Sequence, residues 1–304
     1  MSGRAFARYS AHDPRPWWCR ARRARASGPA ARRRAGSGSG RAWWLDRGGS
    51  ALDAVVAAVR VLEDDPEFGA GIGSALTRDG TVETCATVMD GARRKAGAVA
   101  AVPDLGAPVI VARALLETGE HVVLAGHAAQ RYAAEIGFQP APAGSLVTAQ
   151  AAAQYRDAQA AGGKLEVAGE GGGVGAVARD KQGNFAAATS TGGTVFRRSG
   201  TVDDASVPGV GTWADGNVAV STSGGEAIFR VALAHHIAMR VADGASIRAA
   251  TKAALTELRK LAPDAIAGAI VVSKDAWSAL QIGPAMPVAW IDDFGPNDAI
   301  GFAL

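Results

Sequence analysis

Cysteine and aromatic residues are scarce in this sequence, and long apolar runs are missing. Of 304 residues only two are cysteine and 6% are Phe, Trp or Tyr. Two cysteines cannot build a disulfide framework, and no Cys or His spacing matches a metal site. No apolar run approaches the roughly 18 residues of a membrane-spanning helix, and no apolar segment precedes a small-residue cleavage site. We therefore expect a cytoplasmic protein with no membrane span.

The common sequence signatures of catalytic sites are also missing. There is no Gly-x-Ser-x-Gly elbow, no phosphate loop and no His-Glu-x-x-His zinc helix. Gly69, Gly71 and Gly73 do not have the offsets of a dinucleotide-binding fingerprint. Four of the five histidines lie in or beside predicted helices, where a packing or surface role is the simpler interpretation: His121, His127, His235 and His236.

The first 47 residues differ in composition from the rest of the chain. They contain 12 arginines and only two acidic residues, which gives a local charge of +10. Because the whole chain carries +3, residues 48–304 carry −7. Four of the seven tryptophans lie in this segment as two adjacent pairs, and no helix or strand period is visible.

Three interpretations of residues 1–47 stay open. A polar, strongly charged composition is typical of a disordered tail. Arginines with tryptophans also suit a nucleic-acid-binding arm, although the acidic remainder disfavours nucleic acid as a partner. The third interpretation is a displaced reading frame. The residues Pro16–Arg20 can be encoded so that a shift of one base reads His-Gly-Gly-Ala-Gly, a turn that would suit a globular domain.

Helix and strand patterns begin at residue 48. Ser50 and Asp53 resemble a capping box, and an apolar stripe continues from there to Leu62. The pattern then predicts strands over 74–77, 81–89 and 96–102, and helices over 108–116 and 128–136. Residues 139–172, rich in Ala, Gly and Gln, indicate a linker or a weak helix.

A second block of strands and helices follows this linker. Residues 174–178 and 185–189 flank a turn and predict a hairpin. Further strands are predicted over 217–222 and 269–273, and helices over 226–242 and 246–261. Two blocks of this kind favour an α+β fold in which two sheets pack face to face with helices outside.

Six short segments carry a resemblance to a known family. They are Leu62–Ser74, Val88–Gly91, Lys95–Val99, Val174–Ala178, Ala188–Gly193 and Ser221–Glu226. In this order they resemble the isoaspartyl peptidase/plant-type L-asparaginase family of N-terminal-nucleophile hydrolases, from Gly48 to about Pro287. The resemblance implies a four-layer αββα sandwich and a homodimer. It divides residues 48–304 into an α-subunit-like part (48–138), a linker (139–172) and a β-subunit-like part (173–304).

The resemblance also shows where this chain departs from the family. The family cuts itself before a threonine at the end of the linker, and that threonine then attacks the substrate, its freed α-amino group serving as base. Gly173 stands at this position and has no hydroxyl. Loss of a nucleophile can lower a rate by about a million-fold. The family's carboxylate-binding Arg falls at Thr201, and its Asn near the nucleophile falls at Gly69.

Other positions retain the family pattern. Thr191 matches the second threonine that supports the nucleophile, and Asp204 matches the group that binds a substrate amine. Thr222 and the backbone N–H of Ser223 match an oxyanion hole. The substrate-binding set implied by the resemblance is Asp204, Thr201, Thr222, Ser223, Gly224 and Gly225. No cofactor is expected except a structural sodium ion, held by the backbone carbonyls of Leu62, Glu63, Asp65, Phe68, Ala70 and Ile72.

Three function hypotheses follow. The first is a catalytically deficient, uncut family member with a pocket for an amino acid or dipeptide. The second is a working amidohydrolase that cleaves L-asparagine or β-aspartyl dipeptides, with Thr191 or a water molecule as the attacking group. The third is a non-catalytic binding protein that uses the basic N-terminal segment.

Overall fold

The computed structural model describes residues 4–8, 49–163, 172–283, 286–292, 295–299 and 304. The strands are β1 (Arg4–Arg8), β2 (Glu83–Asp90), β3 (Lys95–Pro103), β4 (Val123–Ala125), β5 (Val174–Arg179), β6 (Phe185–Thr191), β7 (Thr212–Ala214), β8 (Val218–Ser223), β9 (Ala267–Ser273), β10 (Trp277–Ile282), β11 (Val288–Asp292) and β12 (Gly295–Ala299). The α-helices are α1 (Ala51–Glu63), α2 (Pro108–Thr118), α3 (Gly126–Glu135), α4 (Ala149–Ala160), α5 (Glu226–Phe229), α6 (Leu233–Ala242) and α7 (Ile247–Leu261). None of the helices in these ranges combines the length and apolar character needed to cross a bilayer.

The strands form two sheets that pack against each other. One has eight strands in the order β12-β11-β1-β5-β6-β2-β3-β4, and the other has four in the order β10-β9-β8-β7. Strands β5 and β6 contact β8 across the interface between the sheets. Helices α1 and α2 cover the outer face of the larger sheet, and α6 and α7 cover that of the smaller one. The expected α+β, four-layer αββα sandwich is therefore confirmed.

Side chains along β5 alternate between two cores. Val174, Ala176 and Ala178 pack with residues of α1 and α2. Val177 points the opposite way and packs between the sheets, with Met89 and Ile270 among its neighbours. Because both faces of the sheet are covered, residues 174–178 are all buried, and the strand has an almost continuous apolar sequence.

Helix α1 begins where the sequence predicts. Ser50 Oγ accepts a hydrogen bond from Asp53 N at 3.1 Å, which confirms the N-cap. A second acceptor comes from the β5–β6 turn, where Asp180 Oδ2 accepts from Ala51 N at 3.1 Å. From this turn α1 runs along the sheet to Glu63, which contacts Ser190 at the far end of β6. The helix therefore links the turn to the end of the sandwich where the candidate site lies.

The helix predicted over 226–242 is interrupted. It consists of α5 and α6, with Ala232 at a φ of +45° between them. Ala234 N donates to Val210 O and His235 N donates to Gly209 O. These carbonyls satisfy the first N–H groups of α6, so a loop distant in sequence decides where α6 begins. The strand predicted over 74–77 is also reduced, to a single bridge between Leu76 and Val82.

The linker and the N-terminal segment are described only in part. In the linker, α4 begins at the N-cap Thr148 and ends before residue 161, while residues 164–171 lie outside the described residues. In the N-terminal segment, residues 4–8 form β1, paired with β5 and β11. The two neighbouring strands supply the hydrogen-bond partners of β1, for which the sequence showed no strand period. The interpretations of residues 9–47 lie outside the described residues.

Candidate functional site

Three positions expected at the site meet at one end of the sandwich. Gly173 immediately precedes β5, Thr191 ends β6 and Ser223 ends β8. A Cβ placed on Gly173 would lie 3.5 Å from Ser223 Oγ and 3.7 Å from Thr191 Cβ. These are ordinary contact distances, so a side chain at position 173 would fit between a residue of the larger sheet and one of the smaller sheet.

The turn that follows β6 fixes the side chain of Thr191. Its Oγ1 accepts a hydrogen bond from Gly193 N at 2.9 Å, and the residue is only 4% exposed. The hydroxyl keeps its own proton for donation. Thr191 therefore lies beside position 173, with its oxygen oriented by the backbone.

The hydroxyl of Thr222 is engaged in a hydrogen bond within the fold. Thr222 Oγ1 donates to Val210 O at 2.7 Å, and Thr222 N donates to Gly211 O at 2.8 Å. A threonine hydroxyl has one proton to donate, and here that proton is used inside the fold. The oxyanion-hole role implied for Thr222 would require this hydrogen bond to break.

A buried network of hydroxyls lies behind the site. Thr189 Oγ1 donates to Gly211 O at 2.9 Å, so it acts as acceptor toward Ser221 Oγ and Thr212 Oγ1, each 2.7 Å away. The network joins β6 of one sheet to β7 and β8 of the other. It also explains Gly175, because a Cβ there would lie 2.0 Å from Ser221 Oγ. Sequence reasoning missed these hydroxyls. Their sequence signal is a small polar residue within an otherwise apolar strand.

Asp204 organises the loop that follows β8. Its Oδ2 accepts hydrogen bonds from Gly224 N at 3.0 Å and Gly225 N at 3.1 Å, and its Oδ1 accepts from Ala205 N at 2.8 Å. The residue is 5% exposed. Asp204, Gly224 and Gly225 are therefore brought together as the resemblance implies, and the carboxylate has a direct structural role there.

We expect the Asp204→Ala substitution to lower the free energy of unfolding by about 2–4 kcal/mol. The change leaves the N–H groups of Ala205, Gly224 and Gly225 without their carboxylate acceptor, at a cost of roughly 1–3 kcal/mol for each donor that water does not reach. Urea unfolding curves would measure the loss. Asp204→Asn, which keeps one acceptor oxygen, should lose less, and equal effects of the two substitutions would contradict this account.

Position 201 carries no cation, and the nearby Arg197 is paired inside the fold. Thr201 Oγ1 donates to Arg198 O at 2.6 Å. The Arg197 side chain is 5% exposed, and its guanidinium donates to Asp203 Oδ2 at 2.6 Å and to Glu83 O at 2.7 Å. The side chain at 201 therefore supplies no charge for a substrate carboxylate, and the charge of Arg197 is neutralised by Asp203.

The Arg197–Asp203 pair lies in a buried corner that sequence reasoning did not identify. Burial raises the pKa of Asp203 to about 6, against the lowering effect of Arg197, and the negative charges of Asp204 and Glu226 add to the rise. Burial and the negative charge of Asp203 likewise raise the pKa of the Cys85 thiol, which lies 3.9 Å from Asp203 Oδ2. Cys85 is therefore a protonated thiol of low reactivity.

The loop after α1 folds back on itself beside the site. A Cβ on Gly71 would lie 2.3 Å from Glu63 O, and one on Gly73 would lie 1.9 Å from Phe68 O. Within the loop, Phe68 O accepts from Ala70 N, and Ala70 O accepts from Gly73 N. Only glycine permits this close approach, so carbonyl oxygens surround the positions where side chains would otherwise stand.

The side chain of Glu63 ties this loop to β6. Glu63 Oε1 accepts from Ser190 Oγ at 2.7 Å and from Val109 N at 3.0 Å, and the residue is fully buried. Burial raises the pKa of Glu63 to about 8, although the hydrogen bond from Ser190 and the charge of Arg60 lower it. Burial therefore favours the neutral carboxylic acid over the carboxylate.

The chain is similar to known hydrolases over most of its length. A sequence profile described as asparaginase matches residues 39–291. The isoaspartyl peptidase/L-asparaginase of Rattus norvegicus is 41% identical over 250 residues, which are 81% of this chain and 75% of that protein. The protein of the same name from Homo sapiens is 40% identical over 254 residues, 82% of each chain. The isoaspartyl peptidase of Salmonella typhimurium is 44% identical over 205 residues, 64% of this chain and 65% of that protein. This chain therefore belongs to the asparaginase family of N-terminal-nucleophile hydrolases.

Proposed function

We propose that this protein is a catalytically deficient isoaspartyl peptidase/L-asparaginase-like protein that remains one uncut chain. One observation carries the proposal: Gly173 lies beside Thr191 and Ser223, where the attacking group would stand, and it has no side-chain oxygen. Both self-cleavage and amide hydrolysis in this family require a hydroxyl at that position. Glycine also leaves no side chain that a neighbouring base could activate.

The surroundings of Gly173 support the same proposal. Thr201 cannot supply the charged hydrogen bond that an α-carboxylate needs, which is worth roughly 1.5–3 kcal/mol. The hydroxyl of Thr222 is engaged with Val210 O. Binding of the carboxylate and stabilisation of an oxyanion are therefore both weakened, in addition to the missing nucleophile.

A working amidohydrolase is the second candidate, because Thr191 lies next to position 173. Its hydroxyl oxygen accepts a hydrogen bond from Gly193 N. Among the described residues, no carboxylate or imidazole bonds to Thr191, so no side chain is in place to remove its proton. Moving the attack to this atom would also change its position relative to the oxyanion donors. We therefore favour the deficient protein.

The proposal includes a ligand, an assembly and an ion. The ligand is an amino acid or a dipeptide in the space beside Gly173, and the assembly is a homodimer. The loop 62–72 is the place for a sodium ion, because the carbonyl oxygens of Glu63 and Phe68 lie against Gly71 and Gly73 and hard cations bind oxygen ligands. Leu62, Glu63, Asp65, Phe68, Ala70 and Ile72 would hold the ion through their carbonyls. The ion would supply only positive charge that stabilises the loop.

The purified protein is expected to run as a single band near 30.8 kDa on a denaturing gel. It should release no ammonia from L-asparagine, and no free aspartate from a β-aspartyl dipeptide, above the rate in buffer. The isoaspartyl peptidase of Salmonella typhimurium, assayed in parallel, provides the positive control. Two bands, or hydrolysis above the buffer rate, would overturn the proposed deficiency.

A further inference from the structure

Gly69 and Gly172 lie so close together that no side chain fits between them. A Cβ on Gly69 would lie 2.4 Å from the carbonyl oxygen of Gly172, and 3.0 Å from both its carbonyl carbon and its Cα. All three are backbone atoms, so rotation of a side chain could not relieve the contact. The last residue before position 173 thus occupies the space that a side chain at position 69 would take.

The backbone around Gly69 is fixed from the other side as well. Gly69 O accepts a hydrogen bond from Gly192 N at 2.7 Å. Gly192 in turn lies against Ser74, because a Cβ on Gly192 would be 2.2 Å from Ser74 Cβ. The Gly-rich loop and the turn after β6 therefore form a continuous wall, and we call the space that Gly69 leaves in this wall the Gly69 notch.

We propose that Gly69 is a positioning residue, which seats the uncut end of the linker in the Gly69 notch and turns the Gly172 carbonyl toward the Gly-rich loop. This carbonyl belongs to the peptide bond that self-cleavage before residue 173 would break. Among the described residues, no N–H donates to Gly172 O. In this seat the carbonyl lacks the donors that would stabilise an oxyanion.

The other described part of the linker is anchored independently. The Tyr155 hydroxyl of α4 donates to Arg78 O at 2.9 Å, and its ring lies 5.7 Å from that of Phe196. A Cβ on Gly163 would meet the Phe196 ring at 2.8 Å. The linker is thus held on both sides of residues 164–171, at Gly163 and at Gly172.

This placement of Gly172 in the Gly69 notch rests on the proposed function, because it requires an uncut bond between residues 172 and 173. Mass spectrometry of the intact protein tests that requirement first. A cut chain would overturn both the placement of Gly172 in the Gly69 notch and the proposed deficiency. An intact chain without the contact between Gly69 and Gly172 would overturn the placement alone.

The contact can be measured in the unmodified protein. Glycine-selective labelling should give a nuclear Overhauser cross-peak between the Hα atoms of Gly69 and Gly172, because the two residues are in van der Waals contact. Absence of this cross-peak in a folded, fully assigned sample would refute the placement of Gly172 in the Gly69 notch. This measurement needs no substitution, so it stands even if a variant fails to fold.

The Gly69→Ala variant tests the consequence of the seat. Its methyl group should displace Gly172 and raise the rate of proteolytic cleavage within residues 161–173 by about tenfold, because cleavage follows the population of the open form. Gly216→Ala is the matched control, since a Cβ there would meet no atom within 4 Å. A purely structural role for Gly69 would raise cleavage throughout the chain instead. Uniform cleavage, or equal rates in the two variants, would overturn the proposal.

Discussion

The Gly173→Thr variant is expected to fold, to remain uncut and to stay inactive toward L-asparagine. Folding should be preserved because a Cβ at this position makes only ordinary contacts, with Ser190 O at 3.4 Å, Ser223 Oγ and Thr191 Cβ. The restored side chain brings back the missing hydroxyl. If the hydroxyl were the only defect, the gain could reach about a million-fold in rate.

We expect that gain not to appear, because two further defects surround the site. The carbonyl to be attacked lies in the Gly69 notch, against the Gly-rich loop. Thr201 is neutral and provides no positive charge for a substrate carboxylate, and its hydroxyl donates to Arg198 O. Geometry errors of about 1 Å at a reacting centre already cost roughly a hundred-fold. A nucleophile alone is therefore insufficient.

A denaturing gel and an ammonia assay would check this expectation. Gly173→Ala provides the matched control, because it adds the same Cβ without a hydroxyl. Thermal unfolding should show both variants within about 1 kcal/mol of the unsubstituted protein. A Gly173→Thr protein that cuts itself and hydrolyses asparagine would show that the rest of the site is intact.

The Asp203→Ala variant is expected to lose about 3–5 kcal/mol of unfolding free energy, the usual cost of removing one partner of a buried ion pair. The Arg197 guanidinium is 5% exposed and would remain in the fold without its carboxylate. Its bond to Glu83 O would persist at 2.7 Å, but a carbonyl does not neutralise the charge. Urea unfolding at pH 7 would measure the loss.

A double substitution separates the charge from the packing. Arg197→Met with Asp203→Leu removes both charges and keeps apolar volume, so it should be within about 1–2 kcal/mol of the unsubstituted protein. If the double variant were as unstable as Asp203→Ala, the loss would come from packing and the ion-pair account would be wrong.

The pH dependence of stability gives a further test of the same residue. The pKa of Asp203 is raised from 3.8 to about 6 by folding, so the folded protein binds this proton more tightly than the unfolded chain. The stabilisation that comes from binding this proton more tightly in the fold is therefore fully present below about pH 4, and it is lost as the pH rises through about 6. Asp203→Ala should lack this decline between pH 4 and 6.

Local patterns predicted much of the architecture. The Ser50 cap and the apolar stripe predicted α1, and the two apolar runs around Asp180 predicted the β5–β6 hairpin, because caps, turns and alternation depend on neighbours in sequence. The edge strands β4, β7, β10 and β12 were missed. An edge strand pairs on one side only, and β4 and β7 have three residues each, so their own sequences carry a weak signal.

The sequence by itself determined which atoms this protein can use. It determined that position 173 carries no hydroxyl and position 201 no charge, and it predicted the sandwich in which these positions lie. Only the tertiary structure decided how the remaining groups are used. Three contacts join residues that lie apart in the sequence. They are the hydrogen bond from Thr222 to Val210, the ion pair of Arg197 with Asp203 and the close approach of Gly172 to Gly69. Their geometry depends on how the layers pack, and packing is a property of the whole chain rather than of any local pattern.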